Sequence, residues 1–543
     1  MSDKPFAITL DVGSSRANKT GSWRTERPVY VHRQAPCGHA CPAGEEVQAW
    51  LYHAEEGDYE SAWRAITEEN PLPAVMGRVC YHPCETACNR AQLDEAVGIN
   101  SVERFLGDEA IRAGWTVPAA APSGKRVLVV GAGPSGLSAA YHLAKLGHHV
   151  VLRDAGPQPG GMMRFGIPKY RLPRDVLDAE IERIIDLGVE LECNAQVSDV
   201  QAAMRDGGFD AVFLAVGAQL AKRAYIPAGS AAHMLDAVAL LHSMEGEQRP
   251  QLGRRVVVYG GGNTALDAAR TAKRLGAEEA IVVYRRTRER MPAHESELEE
   301  ALAEGVLTKW LTTVTRADEG KLMVERMELD ETGFPQPTGE LEELDADTLV
   351  LALGQDTDLS LLEGVVGVSV HGGVVDVDAR MMTGAPGIFA GGDMVPAERT
   401  VTVAIGHGRR AARNIDAWLR AAVDEPAAEL ALADFDALNI WYYADAPRTM
   451  RPELDVIRRR STFDEVVGGL SADNALFEAR RCLSCGSCFG CDNCYGVCPD
   501  NAVIKLEPGG AYAYDIDLDF CKGCGLCAQE CPCGAIEMVD ERI

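Results

Sequence analysis

Two hydrophobic rhythms divide the chain. From residue 126 to 419, short runs that are apolar throughout alternate with amphipathic stretches. Residues 126–130, 149–152 and 210–218 read as strands buried on both faces, with helices over 137–146 and about 175–187 between them. The rhythm then repeats, with strands over 255–259, 280–284 and 346–354 and helices over 266–275 and 293–304. A strand at 386–393 and a helix ending at 419 follow. Strands alternating with helices predict doubly wound parallel sheets. The final strand and helix resume the first unit, so the second unit reads as an insertion. Outside this region the 3.6-residue spacing predicts helices at 45–56, 59–68 and from 99, and an apolar-periodic stretch spans 463–479.

Glycines give the strand–helix junctions a chemical meaning. The strand at 126–130 runs into Gly131-Ala132-Gly133-Pro134-Ser135-Gly136, which supplies a tight turn, room for a pyrophosphate and close helix packing. The pyrophosphate is expected on the helix N-terminus. Asp154 ends the next strand, where a carboxylate meets the adenosine ribose. A loop with Gly161 and Arg164, a small-residue turn at Gly217, and Gly392-Asp393 after the last strand complete the first set of candidates. The second unit carries Gly260-Gly261-Gly262-Asn263-Thr264-Ala265, with alanine as the third small residue. Its next strand ends at Arg285-Arg286, with Arg290 nearby. An acidic residue there would favour NAD, whereas arginines favour a 2′-phosphate and so NADP(H), although strand-end arginines are also ordinary surface residues. The glutamate-dense helix at 293–304 reads as a solvated face. Two nucleotide sites imply transfer between two carriers.

Composition changes this picture at the two ends. Seventeen cysteines in 543 residues fall almost wholly outside the nucleotide folds. In the tail, Cys488, Cys491, Cys494 and Cys498 precede Pro499, and Cys521, Cys524, Cys527 and Cys531 precede Pro532. This doubled spacing is that of a bacterial-type ferredoxin with two [4Fe–4S] clusters, in which each run's fourth cysteine ligates the other run's cluster. Structural zinc has no use for the prolines or the doubled run. The N-terminal region holds Cys37, Cys41, Cys80, Cys84 and Cys88, again a ligand-type pattern: five thiolates are one more than a cubane needs and three fewer than two need. Cys193 reads as a small buried residue. The formal charge of −28 excludes nucleic acid as a partner. The start lacks the regions of a signal peptide and no run of eighteen apolar residues occurs, so a cytoplasmic location and no transmembrane segment are expected.

The fold expected is α/β, with two Rossmann-like nucleotide-binding domains (one inserted in the other), an N-terminal α-helical iron–sulfur domain and a small C-terminal α+β ferredoxin domain. The expected boundaries are 1–120 for the helical domain, 121–252 with 373–420 for the first nucleotide domain, 253–372 for the second, 421–480 for a linker and 481–543 for the ferredoxin.

From Cys37 to about Leu419 the chain resembles the small, beta-type subunit of NADPH-dependent glutamate synthase and its relatives. These include the flavoprotein half of electron-bifurcating transhydrogenases and the amino-terminal half of dihydropyrimidine dehydrogenase. The resemblance rests on Gly131–Gly136, the loop at 160–168, the 260–267 loop, residues 284–292 and Gly391-Gly392-Asp393. It implies FAD in the first fold, with Asp393 near the ribityl and pyrophosphate region, and NADP(H) in the second. It also implies two N-terminal cubanes, one held by Cys41, Cys80, Cys84 and Glu103, the other using Cys37 and Cys88. Without the resemblance, Glu103 reads as a solvent-facing helix residue. The family's C-x2-C pair upstream of Cys37 is absent, replaced by Val29-Tyr30-Val31-His32-Arg33. Cys482 and Cys485, spare in the tail, have that spacing and are expected to fold back and complete the second cubane. An adventitious reduced pair and a different ligand choice within the tail are the alternatives. Fifteen cysteines and Glu103 then supply four clusters, leaving Cys193 and Cys533 as non-ligands.

The activity expected is exchange of hydride between NAD(P)(H) and FAD, and of single electrons through the clusters with a partner. The cofactors carry the chemistry and no catalytic side chain is required. No signature for oxidising or reducing a carbon substrate is present, so that step falls to partner subunits, expected to be those of a 2-oxoacid oxidoreductase complex, and a soluble ferredoxin is the other electron partner expected. Two alternatives are a glutamate synthase small subunit and a non-catalytic iron–sulfur relay or scaffold subunit.

Overall fold

The apolar runs of the nucleotide region form two five-stranded parallel sheets. The computed structural model describes residues 19–222, 226–229, 233–246, 249–422, 430–507 and 513–541. The first sheet has the order Ile388–Ala390, Ala211–Leu214, Arg126–Val130, His149–Arg153, Glu190–Glu192. The strand after the insertion therefore does return, and lies beside Ala211–Leu214. Val127, Leu128, Val129, Val212 and Phe213 are fully buried, as strands covered on both faces must be.

The second sheet has the order Leu307–Lys309, Glu279–Val283, Arg255–Tyr259, Thr348–Leu351, Met234–Asp236. Its last strand lies upstream of residue 253, so the insertion starts earlier than the sequence boundary. A feature the sequence reading did not name follows: a three-stranded antiparallel sheet of Thr312–Asp318, Lys321–Leu329 and Pro335–Asp345.

Both glycine-loop helices start one turn before their apolar periodicity does, at Pro134–Lys145 and Asn263–Arg274. Proline at the first helical position needs no N–H partner and presets the backbone angle. The glutamate-rich helix, Glu295–Ala303, is not simply a solvated face. Glu297 is buried, as is Glu304 at the helix's end. Glu304 accepts from Arg270 at 2.7 and 2.9 Å and from Arg274 at 2.6 and 2.9 Å. The stretch at 463–479 is helical only over Ala472–Ala479. Gly468 and Gly469 disfavour helix, and the Ser471 hydroxyl accepts from Asn474 N at 3.3 Å to cap the start.

The N-terminal helices pack around Trp50, Leu51, Ile66, Val102 and Leu106, and the same core takes in Leu470, Ala475 and Ala479 from far downstream. Two helices there, Pro73–Val79 and Ile99–Ala113, cross almost backbone to backbone. A Cβ on Gly77 would lie 2.3 Å from Arg104 Cβ, and one on Gly107 would lie 2.3 Å from Ala74 N. The buried Glu180 carboxylate, on the flavin-domain helix Arg174–Ile185, accepts from Ala74 N at 3.1 Å and Val75 N at 2.9 Å. A carboxylate on unpaired N–H groups at a helix start is favourable, and here it joins the two domains.

The tail has two short helices, Asn493–Val497 and Leu526–Gln529, and an antiparallel pair, Val503–Lys505 with Tyr514–Ile516. Its final strand, Ile536–Asp540, pairs antiparallel with Glu26–Tyr30. Thus Val29 and Tyr30, in the place of the missing cysteine pair, join the tail. Among the described residues, no helix is long and apolar enough to cross a membrane.

Candidate functional site

Three helix N-termini converge on one cleft: those beginning at Pro134 and Asn263, and that of Val401–Leu419, which is capped by Thr400. Together they present unpaired N–H groups and the positive ends of three helix dipoles, a setting for pyrophosphate. Of the sequence candidates, Gly131, Gly133, Pro134, Ser135, Asp154, Gly161, Gly217, Asn263, Thr264, Gly392 and Asp393 line the cleft. Gly136 serves packing, since a Cβ there would lie 1.8 Å from Gly131 O. Gly260 packs on Ala352, and around Gly262 a Cβ would meet nothing within 4 Å.

The cleft fits FAD. Ser135 Oγ is buried and has no hydrogen-bond partner, which leaves it ready for a phosphate oxygen. Asp154 is held by Ala132 N at 2.6 Å and Gly156 N at 2.7 Å. Burial pushes the Asp393 carboxyl up from its usual range, against the opposing pull of Arg399. Arg164 departs from expectation: it is buried, donates to Pro159 O at 2.6 Å and pairs with Asp178 instead of lining the cleft.

Arg285 and Arg286 stand beyond the cleft, at the end of Glu279–Val283. Arg285 is exposed and the buried Arg286 Nε has no partner. Their neighbour Arg288 is already paired with Glu295. Two guanidiniums are thus left to meet an anion where a ribose edge is expected.

Sequence spacing gave no hint of Tyr81, which directly follows Cys80 and forms part of the cleft wall with Val79 and Arg171. Its hydroxyl accepts from Asn263 Nδ2 at 2.6 Å and its ring stacks on His294, centroids 3.6 Å apart. Arg171 reaches Asp267 at 2.9 Å and also pairs with Glu297. These contacts tie the second nucleotide fold to the cysteine domain and to the flavin domain.

The candidate metal ligands fall into four groups. Cys84 is pushed well above its ordinary value by burial first, then by Cys80, Glu85, Cys41 and Glu103 around it. Burial likewise holds Glu103 far above the carboxylate range. It is 5 % exposed, which corrects the solvent-facing reading. Asn70 Nδ2 donates at 2.9 Å both to Glu103 and to a second buried carboxylate, Glu45, which the sequence did not single out. Cys80 Sγ accepts from Thr402 Oγ1 at 3.3 Å and His82 N at 3.4 Å, and Thr402 lies in the first turn of a helix that opens on the cleft.

The second group is the one inferred from counting. Cys37, Cys88, Cys482 and Cys485 line one small cavity. Asn89 Nδ2 donates to Cys485 Sγ at 3.6 Å and Ser484 N to Cys482 Sγ at 3.4 Å. In the tail, Cys498, Cys521, Cys524 and Cys527 line another cavity, so the fourth cysteine of one run does lie with the other run. Cys494 in turn is pushed up to about 11 by burial, with Cys488, Cys491 and Cys531 adding to the push. Ala502 N donates to Cys498 Sγ at 3.2 Å and Ala535 N to Cys531 Sγ at 3.3 Å. Cys533 Sγ is 3.7 Å from Cys531 Sγ, and Cys193 is only partly buried. Among the described residues, no three of the His, Cys, Asp and Glu donors converge as they would on a single metal ion. Thiols grouped around cavities and accepting N–H bonds on sulfur fit iron–sulfur clusters.

Fold and site together define a FAD- and NAD(P)H-binding oxidoreductase with 4Fe–4S domains at both ends. The chain belongs to the pyridine nucleotide-disulphide oxidoreductase family, whose model matches residues 125–408. Residues 19–115 match dihydropyrimidine dehydrogenase domain II, 4Fe–4S cluster, and residues 514–537 match a 4Fe–4S binding domain. It is 36% identical to the NADP(+)-dependent formate dehydrogenase subunit beta of Moorella thermoacetica, covering 83% of this chain and 70% of that one. It is 33% identical to the NADPH-Fe(3+) oxidoreductase subunit beta of Geobacter sulfurreducens, covering 84% and 77%. With the glutamate synthase [NADPH] small chain of Escherichia coli the identity is 33%, covering 70% and 88%.

Proposed function

We propose that the chain is the NADP(H)-linked electron-transfer subunit of a larger redox complex, holding FAD and four [4Fe–4S] clusters. When bound, FAD exchanges a hydride with the nicotinamide and single electrons with the clusters. In this reading the helix starts at Pro134 and Val401, with Ser135, seat the flavin pyrophosphate, and Asn263 and Thr264 face the nicotinamide nucleotide. Arg285 and Arg286 clamp its 2′-phosphate. Cys41, Cys80, Cys84 and Glu103 hold the cluster beside the cleft, and Cys37, Cys88, Cys482 and Cys485 the next. Cys488, Cys491, Cys494 with Cys531, and Cys498 with Cys521, Cys524 and Cys527, hold the tail pair.

The observation that carries this reading is the shared cavity of Cys37, Cys88, Cys482 and Cys485, because it joins the cleft side to the tail without a gap in the thiol series. We propose a 2-oxoacid oxidoreductase complex as the assembly it serves. The names of the formate dehydrogenase and Fe(3+) oxidoreductase beta subunits support a partner subunit as such. Anaerobic co-purification with iron, flavin and nucleotide analysis tests the whole: one FAD and about sixteen irons per chain are expected, and eight irons overturn the four-cluster count. Replacing Arg285 and Arg286 with alanine should raise the KM for NADPH about a hundredfold or more, from the loss of two charge-assisted hydrogen bonds worth about 1.5–3 kcal/mol each, while the KM for NADH stays put. Equal effects on both nucleotides defeat the NADP assignment.

A further inference from the structure

Residues 430–446 lie along the tail as a strap. Leu432 bridges to Gln34, Ala433 fills the space left by the side-chain-free Gly486, and Asn439 Nδ2 donates to Gln529 O at 3.0 Å. Leu438 points inward and is 8% exposed. The outer face is different: Trp441 is 85% exposed, Leu430, Leu432 and Tyr442 47% each, and Ile440 37%. Aromatic and aliphatic side chains held in solvent by a fixed inner face mark an interaction surface.

Its charge narrows the partner. Between residues 430 and 447 the sequence has three acids (Asp434, Asp436 and Asp445) and no lysine or arginine. Glu530 adds another acid, accepting from the Tyr442 hydroxyl at 2.5 Å. The carbonyl of the same Glu530 accepts from Asn493 Nδ2 at 3.3 Å, and Asn493 is two residues from Cys491. Cys491 is exposed, one of the few thiols that are. The strap therefore borders the place where the Cys488, Cys491, Cys494 and Cys531 group reaches the surface.

We propose that this acidic, aromatic face is the docking surface for a one-electron redox protein or subunit that presents an apolar centre rimmed by lysine and arginine. Interfaces combine an aromatic core with a charged rim, and complementary rims raise the rate of encounter. A second copy of this chain, a nucleic acid or an anionic membrane would meet like charge. The proposal rests on reading the tail thiols as cluster ligands, which puts a redox centre behind Cys491. One electron passes to the partner per encounter, the partner is reduced by one electron, and no bond or proton changes hands.

The test uses the full holoprotein under anaerobic conditions, with a basic cytochrome c as the probe. Binding is measured by biolayer interferometry at low and at physiological salt, and NAD(P)H-driven reduction of the probe is followed beside reduction of methyl viologen. Trp441→Ala and the double change Asp434→Asn with Asp436→Asn alter only exposed groups, and asparagine keeps the cap that Asp434 provides to Asp436 N. Glu340 and Glu343, both changed to glutamine on the exposed strand Pro335–Asp345, remove the same two charges and serve as the control. Each strap variant should weaken binding and lower kcat/KM for the probe about tenfold, as removal of a central aromatic or rim charges does. The double variant should also flatten the salt dependence, and methyl viologen reduction should be unchanged. Equal loss in the control, or no loss in either strap variant, overturns the docking surface. An unaltered protein whose flavin is reduced but which reduces neither cytochrome c nor viologen overturns the cluster reading itself, and the redox partner with it.

Discussion

The sharpest claim in the molecule is that its two ends share one cluster, and changing Cys482 and Cys485 to alanine addresses it directly. Alanine is preferred to serine because a serine oxygen can itself ligate iron. Fifteen cysteines and Glu103 make sixteen donors in four groups, so the unaltered chain should carry about sixteen irons and as many sulfides. Only the group lined by Cys37, Cys88, Cys482 and Cys485 loses donors in the variant, two of its four. The expected content is therefore about twelve irons per chain. The surrounding fold has other supports: Cys482 N still bonds Ala479 O at 3.0 Å, and Arg481 still bonds Glu95 O at 2.7 Å. Glu26–Tyr30 still pairs with the tail's last strand. Iron and sulfide analysis with low-temperature EPR of the dithionite-reduced protein reads the outcome. One cluster signal should vanish while the two interacting tail signals stay. Because the lost cluster lies between the cleft and the tail in the thiol series, NAD(P)H should still bleach the flavin but reduce the tail clusters far more slowly. An iron content still near sixteen, or a fall that removes a tail signal, refutes the shared cluster.

Two further predictions concern the frame that holds the site. Glu304→Gln leaves Arg270 and Arg274, both buried, without their shared carboxylate. Breaking a buried pair costs about 3–5 kcal/mol, so the second nucleotide fold should show faster hydrogen exchange across Arg255–Tyr259 and a lower Tm, whereas unchanged exchange there would falsify the role of this ion cluster. His142 is buried, its ring meets Glu69 O at 3.2 Å, and burial lowers it to about 3. Its folded value lies below its unfolded one, so its contribution is complete above about pH 6.5 and is lost as the pH falls toward 3. Between pH 8 and 5 that loss is about 2 kcal/mol. His142→Gln should flatten the dependence of Tm on pH over that window, and an unchanged slope rejects the assignment.

The nucleotide folds were legible because their strands are buried on both faces and their glycines are required by sterics, as the 1.8 Å contact awaiting any Cβ at Gly136 illustrates. The grouping of the thiols was legible because thiols are scarce and their spacing is discrete. What escaped was non-local. The sequence showed glutamates at 293–304 as a solvated face because their arginine partners lie on another helix. It placed an insertion boundary at 253 because the edge strand Met234–Asp236 is only three residues long. It overlooked Tyr81, whose significance comes from Asn263 and His294, far along the chain. Arg164 was drawn to the flavin by its position in a glycine loop, yet Asp178 on the following helix claims it.

Glu103, which only the family resemblance put forward, owes its meaning to its surroundings. A carboxylate at 5% exposure, held by Asn70 Nδ2 at 2.9 Å and Asn100 Nδ2 at 3.4 Å, has no cation facing it among its strongest influences, and burial is what raises it most. Such a group is costly in a helical core unless something positive compensates it. The donors grouped with it are the thiols of Cys41, Cys80 and Cys84, and a cluster held by those residues would favour its ionised form. The same logic binds the two ends of the chain. Neither Cys37 with Cys88 nor Cys482 with Cys485 completes a set alone, and the Glu26–Tyr30 strand on the tail and the Ala472–Ala479 helix in the N-terminal core bring the halves together. The fold around the shared cavity is thus built from both termini, so a cluster held there would assemble only once the tail had docked.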